Sequence, residues 1–262
     1  KGKIAEKNDK LKQRAERIAA LKAALKSSDD ALQESVAKVS AMQSELLAAG
    51  EQIKEREAAN RALRKTLEKQ LSRANAVLLG CGLGVTEETR RLVHWVLEQA
   101  ACPVVLDADG LNCAVSCIEL SRRTGKDWIL TPHPGEMARL TGRSIPQIQE
   151  NRVETATQFA AAYPVTLALK GAGTLVAQGS RLAQNPTGNP GMSRGGSGDV
   201  LAGLIAAFAA QGIPSWEAAC AGVYLHGLAG DAAAAALSQQ AMLPRDLLAY
   251  LPQVLVKLEQ ER

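Results

Sequence analysis

The sequence predicts an α/β fold, a mostly parallel sheet flanked by helices, preceded by a long helical segment. Three observations lead there. From residue 76 onward, short aliphatic runs alternate with stretches of helical length, the rhythm of strands joined through helices. Each run ends in glycine, proline or a polar turn, which punctuates strands. Composition also changes near residue 73: all ten prolines and all eight aromatic residues lie beyond it.

The chain has 262 residues, 46% hydrophobic and 22% charged, enough for one large domain or two smaller ones. Its longest uncharged run, Val200 to Trp216, is broken by Gly203, Gly212 and Pro214. It falls short of the ~20 apolar residues that span a bilayer, so it reads as a buried helix and a turn, with no membrane role. The chain begins at Lys1, which marks a fragment, and no charged-then-apolar leader follows. Five dispersed cysteines, Cys81, Cys102, Cys113, Cys117 and Cys220, suggest reduced thiols and a cytoplasmic location. Two of them, Cys113 and Cys117, suit one helix face, but two thiols make no zinc site.

Residues 1–73 carry 17 Lys and Arg against 11 Asp and Glu, and the remainder 14 against 16, so the basic balance belongs to the first segment alone. That segment is rich in Ala, Glu, Lys, Leu and Arg, strong helix formers. Ile4, Leu11, Ile18, Leu25, Leu32, Val39, Leu46, Ile53, Asn60 and Leu67 recur every seven residues, one heptad seam with a single polar member. The companion seam is poor: Lys7, Arg14, Leu21, Ser28, Ser35, Met42, Ala49, Arg56, Leu63 and Gln70. A second reading ends one helix at "KSSDDALQE" and caps another on Ser28 or Asp30, giving a hairpin. Either way the segment is helical and self-associating, and the protein is expected to be a homo-oligomer. Nucleic-acid binding is not expected, because acids interleave the bases and no aromatic offers a stacking surface.

Residues 74–262 form the second domain. "AVLLG", "PVVLDAD", "DWILTPH" and "PVTLALKG" read as strands, with "TEETRRLVHWVLEQA" and "IPQIQENRVETATQFAAA" as helices between them. In such sheets ligands bind at the carboxyl ends of strands, and the unusual polar residues stand there. After the first run comes "GCGLG", with Gly80, Gly82 and Gly84. After the second come Asp107, Asp109 and Asn112, suited to a metal, a sugar hydroxyl or a helix cap. After the third, His133 and Glu136 sit in the turn "TPHPGE", where a site role is favoured over a structural one. After the fourth comes "KGAGT", Lys170 to Thr174, suited to nucleotide phosphate or ribose, or else a surface lysine at a hairpin.

One stretch carries more chemistry than the rest. "NPTGNPGMSRGGSGDVLAG" places Gly195, Gly196 and Gly198 directly before Asp199 and an uncharged helix. Glycine amides and a helix N-terminus together make an anion site. Asp199 would take a proton from an attacking hydroxyl while the amides stabilise phosphoryl charge, with Arg194 assisting. The plainer reading makes Asp199 an N-cap and the glycines loop.

Taken in order, "GCGLG", "LDADGLN", "TPHPGE", "LKGAGT" and "NPGMSRGGSGDVLAG" closely resemble the ADP/ATP-dependent NAD(P)H-hydrate dehydratases of the ribokinase-like superfamily. The resemblance runs from about Ala74 to the C-terminal region; residues 1–73 resemble nothing in the family. It implies repair of NADHX and NADPHX: the nucleotide, ADP in bacterial members or ATP in eukaryotic ones, phosphorylates the added hydroxyl, and phosphate leaves to restore the double bond. It implies Asp199 as base and substrate contact, and Gly195, Gly196 and Gly198 as the anion hole for the nucleotide. It further implies Lys170, Gly171, Ala172, Gly173 and Thr174 as nucleotide contacts, and Gly82 and His133 as substrate contacts. Glu136 falls where related kinases place a glutamate near Mg2+, which implies that it orients a metal-bound water. Family members have further strands ahead of "AVLLG", so an open sheet edge is expected here. Two other readings stand beside this one: a small-alcohol kinase of the same superfamily, and a coiled-coil assembly protein carrying an inactive remnant domain.

Overall fold

A computed structural model describes the backbone of residues 2–261 and the side chains of residues 7 and 9–261. The chain divides into two compact units, residues 1–67 and 68–262.

The first unit is one element. Helix α1 runs without interruption over Gly2–Leu71, so the hairpin reading of "KSSDDALQE" is corrected. Ser28 and Asp30 lie in mid-helix, where flanking Ala, Leu and Lys propagate the helix past the cap candidates. Every described residue from Lys7 to Gln70 except Gly50 is exposed. The seam leucines Leu11, Leu25, Leu32 and Leu46 are 62–76% exposed; Ile4 lies outside the described side chains. Pairs such as Glu34–Lys38 at 2.6 Å support the single helix, each by a few tenths of a kcal/mol, roughly.

The second unit is a six-stranded sheet in the order β1 to β6. Its strands are β1 (Val77–Leu79), β2 (Val104–Leu106), β3 (Trp128–Leu130), β4 (Thr166–Leu169), β5 (Leu175–Gln178) and β6 (Arg181–Gln184). β1 to β4 pair in parallel, and β4–β5 and β5–β6 pair antiparallel. β5 and β6 were not among the expected strands. They form a hairpin on the two residues Gly179 and Ser180, with Gly179 at φ +56°, a conformation that such tight turns need and glycine supplies. β1 stands at one edge of the sheet.

Strand residues alternate between two cores because successive side chains leave opposite faces. Val104, Leu106, Trp128, Leu130, Leu167, Leu169, Leu175 and Ala177 enter one core. The intervening Val105, Ile129, Ala168 and Val176 enter the other. Both faces are covered, as a central parallel sheet requires.

Helices α2 (Glu87–Gln99), α3 (Ala108–Ala114), α4 (Leu120–Thr124), α5 (Pro134–Thr141), α6 (Ile145–Glu150) and α7 (Arg152–Ala162) connect the parallel strands. Thr86 and Thr89 form a capping box that starts α2. "IPQIQENRVETATQFAAA" is two helices and not one, because Asn151 leaves helical geometry at φ −127°, ψ 45° between α6 and α7. Helices α8 (Ser197–Ala210), α9 (Ser215–Leu237) and α10 (Pro244–Gln260) complete the fold, with α8 and α9 filling the second core. Among the described residues no helix is long and apolar enough to cross a membrane, and all five cysteines are free.

Candidate functional site at the strand ends

A cavity of about 690 Å³ opens at the carboxyl ends of the strands. Most of its lining comes from four loops: the end of β2, the turn before α5, the β4–β5 turn, and residues 185–199.

The floor is a charge cluster. Asp107, buried at the end of β2, is the N-cap residue of α3 by position but makes no side-chain cap bond there. Its Oδ1 instead accepts from Lys170 Nζ at 2.6 Å and from the Thr131 hydroxyl at 2.8 Å. Lys170 also stands 3.7 Å from Glu136 Oε2. The lysine is therefore held by two buried carboxylates, and a buried carboxylate needs such a partner. Sequence reasoning treats Lys170 as a nucleotide contact and does not see this pairing, which joins residues 63 positions apart.

His133 and Glu136 cap α5 reciprocally. His133 Nδ1 accepts from the N–H groups of Gly135 (2.9 Å) and Glu136 (3.3 Å), and Glu136 Oε2 accepts from His133 N–H at 2.7 Å. Accepting at Nδ1 leaves Nε2, 3.4 Å from Glu136 Oε1, as the ring's donor. What these bonds show of His133 is a capping role, which sequence reasoning set below a site role. Both residues line the cavity.

The β4–β5 turn is shaped by Arg152 of α7, a residue that sequence reasoning misses. Its guanidinium donates to the carbonyls of Leu169 (3.2 Å), Lys170 (3.1 Å) and Gly173 (3.4 Å). A Cβ on Gly171 would lie 2.2 Å from Arg152 Nη1, and its φ is +146°. Glycine is required there by this close approach. Lys170, Gly171, Ala172, Gly173 and Thr174 all line the cavity.

The glycine stretch ends in α8. The N-cap is Gly196 at φ +96°, and no side chain caps the helix, so the N-cap reading of Asp199 is corrected. Asp199 is the third residue of α8. Ser197 N–H donates to Arg194 O and Val200 N–H to Gly196 O, while the amides of Gly198 and Asp199 have no backbone acceptor among the described residues. Two free amides at a helix N-terminus are what an anion site needs. Gly195, Gly196, Gly198 and Asp199 all line the cavity. Arg194 lines it too but donates to the Gln240 carbonyl.

The loop ahead of the glycines is anchored by Asp231 of α9, which accepts from Gly188 N–H and from Asn189 Nδ2, both at 2.9 Å. His226, also on α9, lies 2.9 Å from Ser197 O through Nε2. Burial pushes its pKa down to about 4, against the hydrogen bond to Ser197 and with help from Lys170. The ring is neutral at pH 7 and donates to that carbonyl. Neither residue is legible in the sequence, since both sit in an apolar helix and act on a loop about 30 to 40 positions away.

Of the residues that the resemblance assigns to the site, Gly82 alone is absent from the cavity lining, and the strand-end candidates Asp109 and Asn112 lie outside it too. Gly82 sits in the turn after β1 at φ +68° with open space around it. That turn packs on α3: a Cβ on Gly80 would fall 1.8 Å from Asp107 O, and Asp109 Oδ2 accepts from Gly84 N–H at 2.8 Å.

The arrangement suits phosphate and Mg2+ chemistry. Unpaired amides stand ready for phosphoryl oxygens, and the carboxylates of Glu136, Asp107 and Asp199 are the hard oxygen donors that Mg2+ prefers.

Comparison with known proteins agrees in kind. The model of a family described as NAD(P)H-hydrate dehydratase matches residues 15–253, beginning inside α1 and so taking in most of a helix that the motif resemblance leaves out. The chain is 44% identical over 196 residues to the bifunctional NAD(P)H-hydrate repair enzyme Nnr of Moorella thermoacetica, covering 74% of this chain and 37% of that protein. It is 44% identical over 161 residues to the ADP-dependent (S)-NAD(P)H-hydrate dehydratase of Neisseria meningitidis, covering 60% of this chain and 54% of that one. A crystal structure of the ADP/ATP-dependent NAD(P)H-hydrate dehydratase from Bacillus subtilis, co-crystallized with ATP/Mg2+, superposes with a TM-score of 0.63 at 32% identity, covering 72% of this chain and 69% of that chain. The chain thus spans little more than a third of the bifunctional relative and about half of the single-function one.

Proposed function

The chain belongs to the NAD(P)H-hydrate dehydratase family, and on that premise we propose that its cavity converts (S)-NADHX and (S)-NADPHX back to NADH and NADPH at the expense of ADP or ATP. The observation that carries this reading is the start of α8, where the Asp199 carboxylate shares one turn of helix with two amides free of backbone acceptors.

In this reading the β4–β5 turn, Lys170 to Thr174, and the glycines 195, 196 and 198 hold the nucleotide, its phosphates on the amides of Gly198 and Asp199. Asp199 removes the proton from the substrate hydroxyl as it attacks the terminal phosphoryl group. The amides and the helix dipole stabilise the charge that spreads over the phosphoryl oxygens. Loss of phosphate from that carbon and of a proton from its neighbour to solvent then restores the double bond. His133 and Gly82 contact the hydrated nicotinamide. Bound Mg2+ would neutralise phosphate charge, and Glu136 would hold it through water. Lys170, fixed between Asp107 and Glu136, keeps that floor from accumulating negative charge.

Residues 1–73 serve self-association through the heptad seam, and residues 74–262 carry the dehydratase chemistry. Five free thiols suit a cytoplasmic setting.

The test mixes the full chain with NADHX, Mg2+ and ADP, then separately ATP, and follows recovery of reduced-nicotinamide absorbance. Asp199→Asn should lower kcat by roughly a hundred- to ten-thousandfold, the usual worth of a general base, with nucleotide affinity kept within a few fold. A stable phosphoester accumulating in place of NADH would replace the dehydratase with a kinase.

A further inference from the structure

Three side chains of metal-ligand type converge beside the glycine loop from three separate elements: Cys81 from the turn after β1, Asp107 from the end of β2, and Asp199 from α8. Their donor atoms lie within 4.8 Å of one another. We propose that Cys81 Sγ and one carboxylate oxygen each from Asp107 and Asp199 bind a thiophilic divalent cation of the zinc class, which shuts the site by occupying Asp199.

Asp107 supplies the fixed ligand. Its side chain is 2% exposed, and its Oδ1 is taken by Lys170 and Thr131. Its Oδ2 accepts no hydrogen bond in the described structure. That oxygen lies on the Gly198 side, 3.6 Å from where a Cβ on Gly198 would stand, so the missing side chain leaves it open. With Oδ1 already taken, Oδ2 is the oxygen of this carboxylate left to coordinate a cation from the open side.

Charge favours the same occupant. With Glu136, which shares the Lys170 ammonium, three carboxylates and a thiolate against one ammonium sum to −3, a balance that attracts a divalent cation. The crowding already shows in the thiol: burial first, then the neighbouring Asp199 and Asp107 carboxylates, push Cys81 up to about 11. Binding breaks the S–H bond, sends the proton to solvent and forms the sulfur–metal bond, with no change in oxidation state.

Sulfur sets the selectivity. Mg2+ takes oxygen ligands, whereas a thiolate selects zinc or cadmium. Tetrahedral zinc with bonds of about 2.0–2.3 Å needs ligand atoms roughly 3.5 Å apart. The contraction from within 4.8 Å falls on Cys81 and Gly82, the exposed residues of a turn whose Gly80 stays packed on Asp107. Water would complete the fourth position.

The metal site stands on this geometry alone; only its inhibitory effect rests on the dehydratase reading. The experiment titrates Cd2+ into the full chain, reduced with a phosphine, and reads the ultraviolet thiolate-to-cadmium charge-transfer band. The wild type should saturate at one equivalent, with Zn2+ displacing Cd2+ and excess Mg2+ failing to. Cys81→Ser should lose the band and weaken Cd2+ binding by roughly thirtyfold or more, although four cysteines remain. Circular dichroism checks its folding, Cys81→Ala serves as a second variant, and Cys102→Ser should keep the band. A band that persists without Cys81, or none in the wild type at stoichiometric Cd2+, overturns the site. In the dehydratase assay on the same samples, Zn2+ should inhibit the wild type at least about tenfold and spare Cys81→Ser; equal inhibition of both overturns the shut-off. A protein that shows the band but no activity without added Zn2+ loses the dehydratase reading and keeps the metal site.

Discussion

His226 acts on the site through one hydrogen bond, to the carbonyl of Ser197. The peptide that carries that carbonyl also carries the Gly198 N–H, so the ring fixes the first amide of the proposed anion hole. Its neutrality is enforced by burial, which lowers its pKa to about 4 from the ordinary 6.5. The consequence for stability has a definite sign. Between pH 6.5 and 4 the unfolded chain binds a proton here and the folded chain does not, so stability is full above pH 6.5 and falls as the pH drops toward 4. The whole effect is on the order of 3 kcal/mol. In His226→Gln the amide still donates to Ser197 O but takes no proton. Urea midpoints measured from about pH 7 to about pH 4.5 should therefore decline less steeply in this variant than in the wild type. Parallel declines would place the acid sensitivity elsewhere.

The β4–β5 turn is the element whose form depends most on a distant helix. Its carbonyls converge on Arg152, and such a fan of acceptors matches the fork of a guanidinium and not a single ammonium. Arg152→Ala should weaken ADP binding by roughly tenfold and destabilise the fold by about 1–3 kcal/mol, the cost of unsatisfied buried carbonyls. Arg152→Lys should recover little of either. Calorimetric titration with ADP decides the first, and unchanged affinity in both variants would detach the turn from nucleotide binding. What the sequence made legible at this scale follows from the same physics. β2 to β4 were readable because continuous apolar runs are needed where both faces of a sheet are covered, β1 because it keeps such a run at the sheet edge although Leu78 is exposed, and the glycine loop stood out as a candidate because glycines before a helix N-terminus suit an anion. β5 and β6 were missed: "LVAQ" and "RLAQ" are short and mixed, and only the two-residue turn between them signals a hairpin. Arg152, His226 and Asp231 were invisible because their partners lie 17 to 43 residues away in sequence, and nothing in the sequence registers that separation.

For the whole molecule, the open question is what covers α1. A helix with Leu11, Ile18, Leu25, Leu32, Val39, Leu46 and Ile53 each more than half exposed gains little by itself, since helical stability in proteins comes mainly from burying one face. The seam is regular every seven residues, which suits a second copy of the same helix. The companion positions are poor, so the association should depend on the leucine seam alone. Burying one leucine is worth roughly 1.5–3 kcal/mol, and three charged replacements on the seam would forfeit most of what holds two copies together. Full-length protein carrying Leu25→Lys, Leu32→Glu and Leu46→Lys should therefore sediment as a monomer at concentrations where the wild type is oligomeric. The proposed dehydratase activity per chain should be unchanged, because the cavity is lined entirely by residues beyond 106. A wild type that is monomeric at its highest soluble concentration would sink self-association. Activity lost together with the oligomer would mean that the cavity needs a second copy, and the separation of roles between residues 1–73 and 74–262 would have to be given up.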